Sequence, residues 1–224
     1  MKRMSLSRKI KLAVSRLSMV ETIFLLMILM NFIWLFLNSE NEDITSTLSI
    51  GCGMFVSFLY MFTLSNSVTS LKQFKTFPMT YGDFIDVTIY ELIIRTVMLS
   101  AVYSFFLLLF QLPQIIPYFI SMFFAMAAIS SLLIPFYLKT DSLRTGKPVD
   151  DSRKNKINIF KGISIIVIYM VLQAVITTCM IRFAFASESL ANDIGILIAV
   201  LAVSTAIPVL IAKICGKPKF RVEC

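Results

Sequence analysis

The side chains that most often carry chemistry are scarce in this sequence and form no familiar catalytic pattern. The chain contains no histidine, which removes the commonest general base and the commonest metal ligand. Its four cysteines form no Cys-x-x-Cys pair, so neither a zinc site nor a disulfide framework is expected. The only Gly-Lys pair, Gly146-Lys147, lacks the earlier glycine of a nucleotide-binding loop. The sequence therefore predicts no enzyme activity, no metal and no cofactor in this chain.

Two charged residues, Glu91 and Arg95, stand inside a long apolar stretch. In a helix their spacing puts both on one face, with the glutamate nearer the N-terminus, which is the better order for an ion pair. A charge inside a bilayer is costly and tends to face protein or water. Two interpretations stay open: a lever that transmits motion into the membrane, and a static salt bridge at the cytoplasmic rim.

The composition shows which elements must position these residues. Of the 224 residues, 58% are hydrophobic and only 15% are charged, whereas soluble domains carry about 25% charged residues. Because about 20 apolar residues cross a bilayer as a helix, the apolar runs predict a single-domain, all-α membrane protein over residues 1–224. Its six predicted transmembrane helices are 20–37, 48–66, 85–112, 115–138, 163–186 and 194–212.

The distribution of basic residues predicts the orientation of these spans. All 21 Lys and Arg residues except Arg95 and Arg182 fall in the two tails or in the loops after the second and fourth spans. The other loops contain acidic residues but no Lys or Arg. By the positive-inside rule, both termini are cytoplasmic. The net charge of +8 is thus a topology signal, and no nucleic-acid partner is expected.

The N-terminal segment 4–18 has the pattern of an amphipathic helix. Leu6, Ile10, Ala13, Val14 and Leu17 recur at helical spacing, whereas Arg8, Lys9 and Arg16 lie away from that stripe. This pattern favours a helix in the cytoplasmic interface, held by anionic lipid. The alternative is a disordered basic tail.

The other long cytosolic segment is 139–161. A partly helical element that touches a partner and a flexible loop are equally compatible with its sequence.

Residues 70–86 join the second and third predicted spans on the cytosolic side and are unusually aromatic for a loop. Pro78 disfavours a helix at Phe77 and suits the start of a new one. Thr80 can cap that helix, and Asp83 then lies near its positive N-terminal end. The segment is expected to be a short helix parallel to the membrane that offers its aromatic rings to a partner. The alternative is a turn whose rings lie among lipid headgroups.

The stretch FKTFPMTYGDFI, residues 74–85, resembles the LPxSxxxFxxxKxL stretch of ABC-2-type transporter permeases. In that family this loop is a coupling helix that docks on a separate ATPase subunit. The six spans, the cytosolic termini and the first basic helix agree with the family. The Met- and Phe-rich spans look more narrowly like permeases of exporters for amphipathic peptides, such as bacteriocins and phenol-soluble modulins. One departure is the short link 187–192, where many members carry a longer re-entrant helix.

The resemblance implies a permease subunit of an ATP-driven exporter in the plasma membrane. Two copies of this chain would form the path for an amphipathic peptide or another hydrophobic compound, and two separate ATPase subunits would bind ATP and Mg²⁺. The ATPase-coupling residues that it implies are Phe77, Pro78, Met79, Thr80, Tyr81, Asp83 and Phe84. Because spans two and five flank the path in this family, the path-lining candidates are Ser57, Thr63, Gln173 and Thr177. For these four residues, ordinary hydrogen bonding between helices is the alternative.

Two other functions fit the same composition. One is a membrane anchor or immunity protein that binds a toxin or another partner without transporting anything. The other is the substrate-binding subunit of a vitamin importer, which would act as one copy with a deep pocket. Stoichiometry and substrate-stimulated ATP hydrolysis distinguish the three functions.

Overall fold

The computed structural model describes residues 4–15, 26, 29–30, 33, 56, 59–60, 81–134 and 152–215, and this part of the chain is helical, without a β-strand. In chain order its elements are α1 (Leu6–Ser15), α2 (Tyr81–Leu109), the 3-10 turn Pro113–Ile115, α3 (Ile116–Ser131), α4 (Ser152–Ala186) and α5 (Leu190–Cys215). The predicted all-α class is confirmed for these ranges.

Helices α2 to α5 include four segments that are long and apolar enough to cross a membrane. These segments are Gly82–Leu109, Pro113–Ser131, Ile163–Ala186 and Leu190–Ile214, and they correspond to the predicted third to sixth spans. The predicted spans 20–37 and 48–66 lie mostly outside the described residues. The few residues of these two spans that are described are helical, and six spans in total stays a prediction.

The turn between α2 and α3 comes earlier than the predicted end of the span at Leu112. Gln111 adopts a positive φ of 58°. The Leu112 amide donates to the Leu107 carbonyl over 2.9 Å. The Gln111 amide donates to the Leu108 carbonyl over 3.0 Å. These two bonds are the left-handed C-cap that commonly ends a helix, and Pro113 cannot continue it because it lacks an amide hydrogen.

The other two spanning helices are longer than predicted. Helix α4 begins at Ser152, so the second part of the predicted cytosolic segment 139–161 forms its first turns. Helix α5 begins at Leu190 and ends at Cys215, beyond both ends of the predicted span. A helix can continue beyond the hydrocarbon with polar residues at little cost in free energy. Hydropathy detects only the apolar part of such a helix and therefore predicts its ends too far inside the membrane.

Helix α3 is the centre of the described bundle, because α2, α4 and α5 all pack against it. In the apolar stretch of α3 that could cross a membrane, 61% of the residues are buried, compared with 17% in the corresponding stretches of α4 and α5. Small side chains at Ala127, Ala128 and Ser131 let the neighbouring helices approach closely. The outward faces of α4 and α5 are rich in exposed Ile, Leu and Val, as expected of surfaces that face hydrocarbon.

Helix α1 packs against the beginning of α2. Its Lys9 and Ala13 are buried in that contact, whereas Leu6, Ile10 and Val14 are exposed. Leu6, Ile10 and Val14 of the predicted apolar stripe are therefore on the free side of α1, whereas Ala13 of the same stripe contacts the bundle. The interfacial location of this helix stays a prediction.

Candidate functional site

The end of the bundle where α2 begins, which is the cytosolic end in the predicted topology, contains a three-residue ionic cluster. Lys9 of α1 places its Nζ 2.8 Å from Asp83 Oδ1 and 2.5 Å from Asp86 Oδ2. The Met4 amide also donates to Asp83 Oδ2 over 3.3 Å. The two aspartates lie three residues apart in the first turns of α2, so their carboxylates share one face. This cluster, called here the Lys9 clamp, fastens α1 to the start of α2.

The electrostatics of the Lys9 clamp favour the charged lysine. Burial by itself would lower the pKa of Lys9. The hydrogen bonds and negative charges of Asp83 and Asp86 outweigh burial, and the pKa of Lys9 lies above its ordinary value. Lys9 is thus protonated at neutral pH.

The structure describes only part of the predicted coupling segment. Phe77, Pro78, Met79 and Thr80 lie outside the described residues. Tyr81 is the first residue of α2. Asp83 and Phe84 are 1% and 3% exposed, respectively. Asp83 contacts Lys9, and Phe84 belongs to the hydrophobic core. These two side chains serve contacts within the chain, and docking of an ATPase through this segment stays a prediction.

The predicted intramembrane pair is formed inside α2. Arg95 places a guanidinium nitrogen 2.6 Å from Glu91 Oε1, and the two side chains are only 5% and 4% exposed. The predicted pairing is confirmed, and the pair is buried in the interior of the bundle. Thr96, the next residue of α2, places its hydroxyl 2.8 Å from the Tyr60 hydroxyl. Whether the pair acts as a lever stays a prediction.

Gln173 and Thr177, two of the predicted path-lining residues, lie in the contact between α4 and α3. Gln173 Nε2 donates to the Met126 carbonyl over 3.0 Å and to Ser130 Oγ over 3.2 Å. Thr177 Oγ1 donates to the Gln173 carbonyl over 2.9 Å. Both residues are at most 1% exposed. The Gln173 bonds match interhelical hydrogen bonding, the alternative interpretation, whereas the Thr177 bond lies within α4. Ser57 and Thr63 lie outside the described residues.

The opposite end of the bundle, which is the outer end in the predicted topology, contains a second cluster that the sequence did not predict. The hydroxyls of Tyr118 and Ser187 both donate to Asp193 Oδ2. The Tyr118 ring packs edge-on against Phe183, with centroids 5.5 Å apart. This cluster, called here the Asp193 latch, joins the start of α3 to the hairpin between α4 and α5. Tyr118 and Asp193 are 75 residues apart in sequence, and no local pattern connects them.

The two clusters hold helices together at opposite ends of the described bundle. Among the described residues, no group of three or more Cys, Asp and Glu side chains could hold a metal ion. Comparison with known proteins adds no information about the function of these clusters. No protein-family model, no curated protein and no solved structure matches this chain.

Proposed function

We propose that this chain is the membrane subunit of an ATP-driven exporter, that it works as a homodimer, and that two copies of a separate ATPase drive it. Support comes from the sequence resemblance of residues 74–85 and from four helices long and apolar enough to span a membrane. The proposed substrate is an amphipathic peptide or another hydrophobic compound. The proposed location is the plasma membrane, with both termini cytoplasmic.

The observation that carries the proposal is the Lys9 clamp at the start of α2. An element that passes motion from a partner into the membrane must be anchored where the force enters. The proposed docking segment, residues 77–80, leads directly into α2, whose first turns are fixed to α1 by Lys9. Helix α2 then runs unbroken for 29 residues, which corresponds to about 44 Å. Motion at its cytosolic end would reach the outer turn through one rigid helix.

The exposed side of α1 supports a membrane-surface location for this anchor. Leu6, Ile10 and Val14 project away from α2, and the basic side chains of Arg8 and Lys11 are exposed beside them. An apolar stripe flanked by cations is the surface that binds an anionic bilayer. In this proposal α1 rests on the inner leaflet and holds the start of α2 at a fixed depth.

A dimer is proposed because one chain has little interior to offer as a path. The central helix α3 is enclosed by α2, α4 and α5, and the described polar side chains at Gln173 and Thr177 are already occupied in helix contacts. A path for a peptide would therefore lie between two copies and not within one.

The test is purification of the chain from its native membrane, followed by measurement of ATP hydrolysis by the proteins that remain bound. We expect bound ATPase activity, and we expect its loss from the Phe77→Ala/Met79→Ala variant, which leaves the buried Phe84 in place. The matched control is Phe105→Ala, on the exposed side of α2, which should keep the activity. Purified chain that moves solute alone, or that carries no ATPase activity, would contradict the proposal.

A further inference from the structure

A cavity of about 190 Å³ lies between α2, α3 and α5. Its walls are mostly apolar and include Leu92, Phe124 and Ala127. Leu92 lies about 17 Å along α2 from the first residue of that helix. With the predicted topology, the cavity is therefore in the cytosolic half of the membrane. It is separate from the Lys9 clamp and from the Asp193 latch.

The cavity has one polar corner, on α5. Pro208 lies inside this helix and has no amide hydrogen, so the Ser204 carbonyl one turn earlier lacks its usual helical donor. Ser204 itself is only 5% exposed and lines the cavity. In the described part of the chain, no side chain is hydrogen-bonded to its hydroxyl.

The other hydroxyls in the cavity wall are already satisfied within their own helices. Thr96 Oγ1 donates to the Leu92 carbonyl over 2.8 Å, and Thr205 Oγ1 donates to the Ala202 carbonyl over 3.0 Å. The carbonyl and hydroxyl of Ser204 are thus the groups that remain for a ligand. Buried polar groups without a partner are costly, and a ligand that supplies one gains free energy.

The open side of the cavity faces the hydrocarbon of the bilayer. Its rim includes Ile93 and Val209, which are 40% and 54% exposed and belong to two of the spanning segments. Among the described residues that line the cavity, none carries a charge. A ligand would therefore arrive from the lipid phase, and it would be uncharged.

We propose that this cavity binds a neutral amphipathic group the size of one aromatic ring, with its apolar part against Leu92, Phe124 and Ala127 and a hydroxyl or amide donating to the Ser204 carbonyl. An apolar cavity of about 150 Å³ is large enough to hold benzene, and the present one is larger. The site needs only this chain. It therefore goes beyond the proposed transport function and does not require the ATPase.

The test uses purified chain in lipid nanodiscs and a benzyl alcohol that carries a photoreactive diazirine. We expect labelling to concentrate on the cavity segments of α2, α3 and α5, and to be competed by excess benzyl alcohol. Ala127→Leu fills the cavity and should reduce labelling at least fivefold. Ala101→Leu adds the same volume at an exposed position of α2 and should leave labelling unchanged.

A second pair of variants tests the polar corner. Pro208→Ala supplies an amide hydrogen to the Ser204 carbonyl, and Ser204→Ala removes the free hydroxyl. Each should weaken competition by benzyl alcohol about fivefold and leave competition by toluene, which has no hydroxyl, unchanged. Equal effects on both competitors would overturn the role of Ser204.

Uniform labelling of all lipid-facing residues, equal in the wild type and in Ala127→Leu, would overturn the site as a whole. If Ala127→Leu does not fold, Thr205→Phe at the exposed rim closes the same cavity and gives the same expected loss. If the cavity binds no ligand, the expected ATPase activity of the purified chain is not affected. If no ATPase binds the chain, the expected labelling of the cavity is not affected. The two proposals can therefore fail separately.

Discussion

The two ends of the helix bundle are held by opposite kinds of polar contact. At the end where α2 begins, Lys9 lies between two carboxylates, and farther along α2 Arg95 pairs with Glu91. At the opposite end, Asp193 receives two hydroxyl donors, from Tyr118 and Ser187, and among the described residues no cation pairs with it. The helices are thus joined at the first end by an ionic cluster and at the second by a carboxylate with neutral donors, whereas the Glu91–Arg95 pair lies within one helix.

This difference indicates which end separates more easily. Hydrogen bonds with an ionised donor or acceptor are roughly twice as strong as neutral ones, and this holds at both ends, so the difference lies in the opposite charge that only the ion pairs contain. Breaking an ion pair inside the bundle leaves a buried charge without compensation. Rotation of one hydroxyl away from Asp193 leaves a smaller penalty, because the other hydroxyl still donates to the same carboxylate oxygen. In the proposed exporter, the cytosolic half would move as one body and the outer end would open.

The largest effect is expected from Arg95→Met. This variant leaves Glu91 only 4% exposed and without its cation, so the free energy of unfolding should fall by about 3–5 kcal/mol. The measurement is denaturant titration of the purified chain in detergent. The double variant Glu91→Gln/Arg95→Met removes both charges and should recover at least half of the loss. If the single and double variants were equally unstable, the ion pair would not be the cause.

The next largest effect is expected from Lys9→Met. It removes the cation between Asp83 and Asp86, and the free energy of unfolding should fall by about 2 kcal/mol. This loss is smaller than for Arg95 because Asp86 is 33% exposed and water can solvate it. The control is Lys11→Met, which removes an exposed cation from the same helix. An equal loss in the control would assign the effect to net charge and not to the clamp.

The Lys9 clamp should also give a specific pH dependence. The folded pKa of Lys9 is raised above its ordinary value of 10.5, so its contribution is fully present below that pH and is lost as pH rises through the folded pKa. The difference in unfolding temperature between wild type and Lys9→Met should be constant from pH 7 to about pH 10 and should shrink above it. A difference that already vanishes by pH 9 would contradict the raised pKa.

A smaller effect is expected at the outer end from Tyr118→Phe. Asp193 keeps its Ser187 donor, so the free energy of unfolding should fall by about 1 kcal/mol. Proteolysis of the 187–193 hairpin in membrane vesicles should become faster, because the hairpin is less firmly joined to α3. Tyr90→Phe removes a hydroxyl that has no hydrogen-bond partner in the described part of the chain and serves as control. If Tyr118→Phe lowered the free energy of unfolding as much as Lys9→Met does, the proposed difference in strength between the two ends would be wrong.

The smallest effect is expected from Gln173→Met, in the middle of the bundle. The substitution keeps the volume of the side chain and removes two hydrogen bonds to α3. It also removes Gln173 Oε1, which is buried without a hydrogen-bond partner among the described residues. Loss of the two hydrogen bonds lowers the stability, and removal of the unpaired oxygen raises it. The free energy of unfolding should therefore change by less than about 0.6 kcal/mol. A loss of transport without loss of stability would instead favour the predicted path-lining role.

The candidate sites were predictable only where they depend on neighbours along the chain. The Glu91–Arg95 pair follows from the spacing of four in one helix, and the structure confirms it. The Lys9 clamp was missed because the amphipathic pattern of α1 predicts only which residues are polar, not which of them contacts α2. The Asp193 latch was missed because nothing in the sequence connects its members. Tyr118 lies in an apolar run, and Asp193 is one of several acidic residues in the loops that were predicted to lie outside.

The sequence by itself determined the helical class and the four described spanning segments, because crossing hydrocarbon requires long apolar helices whose backbone is internally hydrogen-bonded. It also indicated the orientation, through the positions of Lys and Arg. Only the tertiary structure decided that α3 is central, that Lys9 faces Asp83, and that Tyr118 meets Asp193. Lys9 and Asp86 are 77 residues apart and Tyr118 and Asp193 are 75 residues apart, and local periodicity contains no information about which faces meet.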